Sequence, residues 1–268
     1  MSFPILFSLP ENPPRQQPDG ISGLTCWYRS DDKLTGPTDV LVWYDRSGNG
    51  HDLTDPTAGR RPHHIDSDPL FAGHPAITAD GVNDYLMSDT VTEINGVTEI
   101  TTFSVQYAPT TATAPNLDIV WNFCTTSGTT LTSLNANCYF NTLGVHYNIG
   151  SVPTPGLLST VRLTSPPVLT VPFIATTIWN RAGTTQATRY SPFINGSPRA
   201  ITSMTDLQFT PANFTSSNLM VFGRNSSTGT AGHCHMAELI IYNRRLTDSE
   251  RRSVENYLGA RYGIAISS

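Results

Sequence analysis

The residues most able to do chemistry in this chain are carboxylates, amides and imidazoles gathered at turns, so each cluster can be weighed by its spacing. In VLVWYDRSGNGHDLTD, Val40 to Asp55, Asp45 and Asn49 flank a Ser-Gly turn just behind the aromatic pair Trp43 and Tyr44. A short carboxylate in such a turn accepts backbone N–H bonds, which reads as a structural corner. Two alternatives stay open. One is a calcium site on Asp45 and Asn49, although calcium takes roughly six to eight oxygen ligands and the local sequence offers few; the other is a catalytic loop. DGVNDYL, Asp80 to Leu86, sets Asp80, Asn83 and Asp84 around a glycine ahead of Tyr85. These groups either hold turn amides or line a calcium or sugar rim, where carboxylates and amides pair with sugar hydroxyls.

His233-Cys234-His235 carries zinc-ligating residue types. In a strand the two histidines share one face and the cysteine takes the other, so the three cannot meet one metal without a bulge. A buried Cys234 with the histidines on a polar face is the plainer reading, and Pro62-His63-His64 reads as loop. The chain has no nucleophile elbow, P-loop or dinucleotide-binding fingerprint.

The elements that must position these groups are β-strands. Ser, Thr, Asn and Gly supply much of the composition, with apolar runs between turn signals. Strands are expected near Gly23–Ser30, Val40–Tyr44, Pro75–Ala79, Thr101–Tyr107, Asp118–Phe123, Cys138–His146, Pro172–Asn180, Arg189–Ile194, Asn218–Gly223 and His235–Tyr242. Asn49-Gly50 and Asn195-Gly196 supply tight hairpin turns, and Ser151 to Pro167 reads as a long surface loop. One helix is expected, near the end. Thr247-Asp248-Ser249-Glu250 spells a capping box, Val254, Tyr257, Leu258 and Arg261 fall on one face, and Gly263 gives the left-handed stop.

Length suits one all-β domain, residues 21–268, behind a Pro-rich extended arm, residues 1–20. Charged residues make up 14% and the net charge is -5, which argues against nucleic acid as a partner. No apolar run is long enough to span a membrane. The N-terminus does not read as a secretory signal, so the four cysteines are expected as buried free thiols, with a Cys124–Cys138 pair as the alternative. The sequons at Asn195, Asn213 and Asn225 are read as unused.

The stretches ISGLTCWYRSDD, VLVWYDRSGNGHDL, GHPAITADGVNDYL, FINGSPR and HMAELIIYNRRLTDSERRSVENYLGARYGI together resemble the concanavalin A-like lectin/glucanase superfamily, and within it the LamG-like jelly-roll domains of phage and bacterial proteins. The resemblance runs from about residue 21 to 264 in the family's order, with no matching motif between roughly 108 and 170. It implies an all-β, two-sheet antiparallel jelly-roll sandwich with a short C-terminal helix and a concave groove that binds glycans in many members. On that footing Trp43, Tyr44, Asp80, Asn83, Asp84 and Tyr85 are the candidate carbohydrate-binding residues. Trp27, Trp121 and Trp179 are divided between core and groove by nothing in the sequence.

Hydrolytic members of the superfamily carry closely spaced glutamates. The chain's glutamates, Glu11, Glu93, Glu99, Glu238, Glu250 and Glu255, do not stand in that pattern, and Glu238 is expected to bond backbone groups or Arg244 or Arg245. The sequence therefore leads to the expectation of a non-enzymatic phage virion structural protein, a capsid-decoration or tail-fibre part in host attachment. No catalytic residue or cofactor is assigned. In that reading Phe3, Ile5, Leu6 and Phe7 of the arm join neighbouring virion proteins or further copies of the chain, and the sandwich takes cell-surface glycans. The alternative is a polysaccharide-acting lyase or hydrolase, which requires a groove where His, Tyr and Arg converge with perturbed pKa values.

Overall fold

The computed structural model describes residues 17–55, 57–108, 118–127, 130–141, 143–150, 158–206, 209–223 and 232–267. Phe3, Ile5, Leu6 and Phe7 lie outside the described residues. Strand pairing is antiparallel throughout and runs in two main ladders that face each other, joined into one continuous sheet. In the first, the order is Val40–Asp45, Leu24–Thr35, His235–Tyr242, Glu99–Tyr107, Phe173–Asn180 and Tyr190–Ile194. In the second it is Leu86–Val91, Ser217–Val221, Asp118–Ser127, Thr130–Asn141, Gly144–Gly150, Leu158–Leu163 and Ile201–Asp206. The two-residue strand Leu53–Thr54 bridges them by pairing with both Trp43 and Met87. This is the expected two-sheet sandwich.

Alternation along each strand sends one set of side chains between the sheets. Trp121 from the second sheet meets Trp179 from the first with ring centroids 5.5 Å apart, and Tyr147 reaches the same indole at 5.4 Å. The four tryptophans are 0% to 3% exposed, which puts Trp27, Trp43, Trp121 and Trp179 in the interior rather than on a sugar platform. Trp43 is thereby corrected as a stacking candidate: its indole nitrogen donates to the Arg29 carbonyl at 2.7 Å inside the core. All four cysteines are buried, and none of them forms a disulfide.

The first sheet has a second apolar layer on its outer side, where Phe103, Ile240 and Trp27 pack with Val254, Tyr257 and Leu258 of the helix Asp248–Tyr262. Its capping box forms as the sequence predicts. The Glu250 amide donates to the Thr247 hydroxyl at 3.3 Å, the Thr247 amide donates back to the Glu250 carboxylate at 2.8 Å, and Gly263 closes the helix at φ 67°.

Several expectations fail locally. The run Cys138–His146, read as one strand, is split between Thr130–Asn141 and Gly144–Gly150. In the Asn49-Gly50 turn the positive φ angles fall on Gly48 and Gly50, and the flanking strands Val40–Asp45 and Leu53–Thr54 are too far apart along the chain for a tight hairpin. The segment read as a loop from Ser151 to Pro167 contains the strand Leu158–Leu163, because Val161 and Leu163 alternate into the core. His63 and His64 belong to a short strand paired with Ala76–Thr78 rather than to a loop.

Candidate functional site

With the first sheet covered by the helix, the side chains that point away from the core on the second sheet form the other broad face. Alternation makes its composition legible. Ala136, Cys138 and Phe140 point inward with Trp121, Phe123, Val145, Tyr147 and Val161, so Asn122, Asn137, Tyr139, His146, Asn148 and Arg162 point outward. The register aligns them in two neighbouring rows. Asn122 pairs with Asn137, which pairs with Asn148; Tyr139 pairs with His146, which pairs with Arg162.

These side chains are buried, Arg162 partly so, and Asn122, Asn137 and His146 are each no more than 1% exposed. Several of their polar atoms have no hydrogen-bond partner: Asn122 Oδ1, both amide atoms of Asn137, both ring nitrogens of His146, Asn148 Oδ1 and Arg162 Nε. An orphaned polar atom costs roughly 1–3 kcal/mol, so a cluster of them on one face is expensive and calls for an explanation. The imidazole of His146 stacks on Tyr139 at 4.8 Å and 21°. Burial first, and the Arg162 charge second, push its pKa down to about 4, so the ring is neutral at neutral pH.

The residues singled out from sequence lie elsewhere and act as turn holders. Asp45 Oδ1 accepts the amides of Trp27 at 3.0 Å and Ser47 at 2.9 Å; Oδ2 accepts the Ser47 hydroxyl at 2.7 Å and the His51 amide at 3.1 Å. Asn49 donates to the carbonyls of Leu24 and Thr25. No group of three or more His, Cys, Asp or Glu among the described residues is placed to hold a metal ion.

In DGVNDYL, Asp80 accepts the Val82 amide at 2.8 Å, Asn83 donates to the Gly59 carbonyl at 3.1 Å, and buried Asp84 accepts the Asp80 amide at 3.0 Å. Burial raises the Asp84 pKa to about 6. Tyr85 is buried beneath the Arg60 guanidinium, 4.9 Å from its ring centre, whereas Tyr44 is 42% exposed. The structure thus gathers Asp80, Asn83, Asp84 and Tyr85 at one turn and leaves Trp43 in the core.

Glu238 is fully buried, but its partners are not those expected. Trp27 Nε1 at 2.6 Å, Tyr257 at 3.0 Å and Tyr262 at 2.8 Å donate to it, and the nearest arginine is Arg261 at 3.8 Å, not Arg244 or Arg245. Burial raises its pKa to about 7 against those hydrogen bonds. Cys234 is buried, while His235 hydrogen-bonds Tyr107 at 2.8 Å.

No protein-family model matches the chain, and no curated protein matches its sequence. Solved structures do match in fold. Trypanosoma rangeli sialidase in complex with sialic acid aligns at TM-score 0.58 and 13% identity, over 92% of this chain and 34% of that one. The same sialidase as a covalent intermediate with 2,3-difluorosialic acid aligns at 0.58 and 12%, over 90% and 33%. The binding domain of botulinum neurotoxin DC in complex with SialylT aligns at 0.51 and 10%, over 85% and 52%.

The chain spans about a third of the sialidase chains it matches, and at these identities the likeness is one of fold. That fold is a two-sheet β-sandwich. The comparison overturns the expectation of a non-enzymatic phage virion protein, since the matching structures include sialidases, which are enzymes. The polysaccharide-acting alternative is the better supported of the two.

Proposed function

We propose that this chain acts on carbohydrate, with a concanavalin A-like jelly roll that engages a glycan across the Asn122–Asn137–Asn148 and Tyr139–His146–Arg162 rows. The carrying observation is the set of orphaned polar atoms on that face. These atoms are sealed from solvent in this structure, so the reading requires the face to open before sugar hydroxyls, each both donor and acceptor, supply the missing partners. The matched sialidases and the neurotoxin binding domain, solved with sialylated ligands, support this direction through the shared fold.

The groups on this face able to move a proton are Tyr139 and neutral His146, beside Arg162 as the fixed positive charge. They are the residue types that the polysaccharide-acting reading calls for. A hydrolase working through two carboxylates is disfavoured here, because neither row contains Asp or Glu.

The test is a glycan array probed with the intact chain, followed by mass spectrometry of any bound oligosaccharide after incubation. The expected result is selective binding that falls about tenfold or more in Asn137→Ala, with product formation that is lost in His146→Ala. If no glycan binds or turns over, or if Asn137→Ala and His146→Ala behave as the parent does, the assignment to this face is wrong.

A further inference from the structure

We infer that His51 is a pH-operated bolt between the two ladders: protonated, it fastens the edge strand Leu86–Val91 to the first sheet, and neutral, it lets that edge go. The backbone around the ring belongs to the first sheet. The His51 amide donates to Asp45 Oδ2 at 3.1 Å, and the His51 carbonyl accepts the Tyr28 hydroxyl. The side chain reaches across. Nδ1 lies 2.6 Å from Asp89 Oδ1 on Leu86–Val91, and Nε2 lies 2.9 Å from Glu93 Oε2 just beyond that strand.

Both ring nitrogens therefore face carboxylate oxygens. A carboxylate only accepts and a neutral imidazole has a single N–H, so a neutral ring would set one lone pair against an oxygen. The imidazolium satisfies both contacts with two charge-assisted hydrogen bonds. Position gives the contact leverage. Thr54 pairs with Met87 where Leu53–Thr54 joins the ladders, and extending that antiparallel register sets Asp52 level with Asp89. The bolt thus stands at the next step of a seam that rests on a two-residue strand.

The ring is 6% exposed, but Asp89 is 70% exposed, so protons reach the pair from solvent. Burial alone would lower the His51 pKa; the hydrogen bonds to Asp89 and Glu93 outweigh it and hold the ring above the ordinary 6.5. The other titratable groups nearby are Cys26 and Tyr28 on Leu24–Thr35, with Asp45 and Asp52 at the turn. Burial pushes Cys26 and Tyr28 well up, so both stay neutral through this range. Asp52 accepts the Asp45 amide at 2.8 Å, which leaves Asp89 and Glu93 as the ring's own partners. Because the folded pKa exceeds the unfolded value of 6.5, the stabilisation is complete below pH 6.5 and is lost as pH rises through the folded pKa.

The experiment is amide hydrogen exchange followed by NMR on the intact chain at pH 5.5 and pH 8.5, with intrinsic rates divided out and the strand Phe173–Asn180 as internal reference. The reference is needed because Glu238, with a pKa of about 7, shifts the stability of the whole fold over the same range. The expected result is that the amides of Leu53–Thr54 and Leu86–Val91 lose about tenfold in protection relative to the reference at the higher pH. His51→Gln should show the lower protection at both pH values, and the ring nitrogen shifts of the parent should report an imidazolium at pH 5.5.

A neutral His51 ring at pH 5.5, or seam protection that keeps the same ratio to the reference at both pH values, would overturn the inference. Both readings come from the parent chain, so they decide the matter even where the substitution disturbs folding. Neither outcome bears on the face proposed for glycan.

Discussion

His146 lies stacked on Tyr139, with the Arg162 strand on its other side and no hydrogen bond to either ring nitrogen. An imidazole so placed resists protonation, and its pKa of about 4 lies below the usual 6.5. The folded protein therefore binds fewer protons than the unfolded chain between those values. This contribution to stability is complete above pH 6.5 and declines as pH falls toward 4. In His146→Gln, urea denaturation measured across that window should show a shallower loss. A histidine resonance titrating near 6.5 and assigned to His146 would contradict the geometry.

Glu238 works in the opposite sense. Its pKa of about 7 exceeds the ordinary 4.5 because burial opposes the charge, so the folded state holds a proton that the unfolded chain releases. Stability is then greatest below pH 4.5 for this group and declines as pH rises toward 7. Glu238→Gln should flatten that slope while the helix stays docked. Denaturation midpoints at pH 5 and pH 7.5, measured in both proteins, provide the check.

Arg251 and Glu255 form a 2.5 Å ion pair with both side chains nearly sealed from water. Removing one partner strands the other as a buried charge, typically at a cost of about 3–5 kcal/mol. Arg251→Met is expected to destabilise by that order, and Arg251→Met with Glu255→Leu by markedly less than the sum of the single changes. A double-mutant cycle by urea denaturation measures the coupling; additive effects would show that the pair is not energetically linked.

Asp45 organises its corner through four donors. Asp45→Ala should cost about 2 kcal/mol or more, since it leaves the Trp27, Ser47 and His51 amides without their acceptor. The melting temperature of the parent protein should not respond to EDTA or to added calcium. A calcium-dependent rise would reinstate a metal at this turn.

Much of the architecture could be read from the sequence because its signals are local. Strand alternation, the Asn195-Gly196 turn and the Thr247–Glu250 capping box each lie within a few residues, and each forms as read. The candidate site was missed because it is a register effect. Asn122, Asn137 and Asn148 are spread over 27 residues in a Ser/Thr/Asn-rich stretch with no recognisable motif, and only cross-strand pairing puts them in line. The same limit misplaced Trp43, whose aromatic neighbour Tyr44 is the exposed one. Outward-facing Asn, His and Arg on consecutive hairpin strands were the available signal, had pairing been assigned strand by strand.

The first long strand, Leu24–Thr35, lies directly against His235–Tyr242, with Trp27 opposite Ile240. The middle of the first sheet thus joins segments that lie far apart along the chain. Neither can find its neighbour until more than 200 residues have been added, as the 211-residue separation of Trp27 and Glu238 illustrates. Contacts so distant along the chain must overcome a large loop-closure entropy, and they slow folding. A ribosome-bound chain stalled before residue 235 would hold an unfilled slot between Leu24–Thr35 and Glu99–Tyr107, two strands awaiting the partner that completes them.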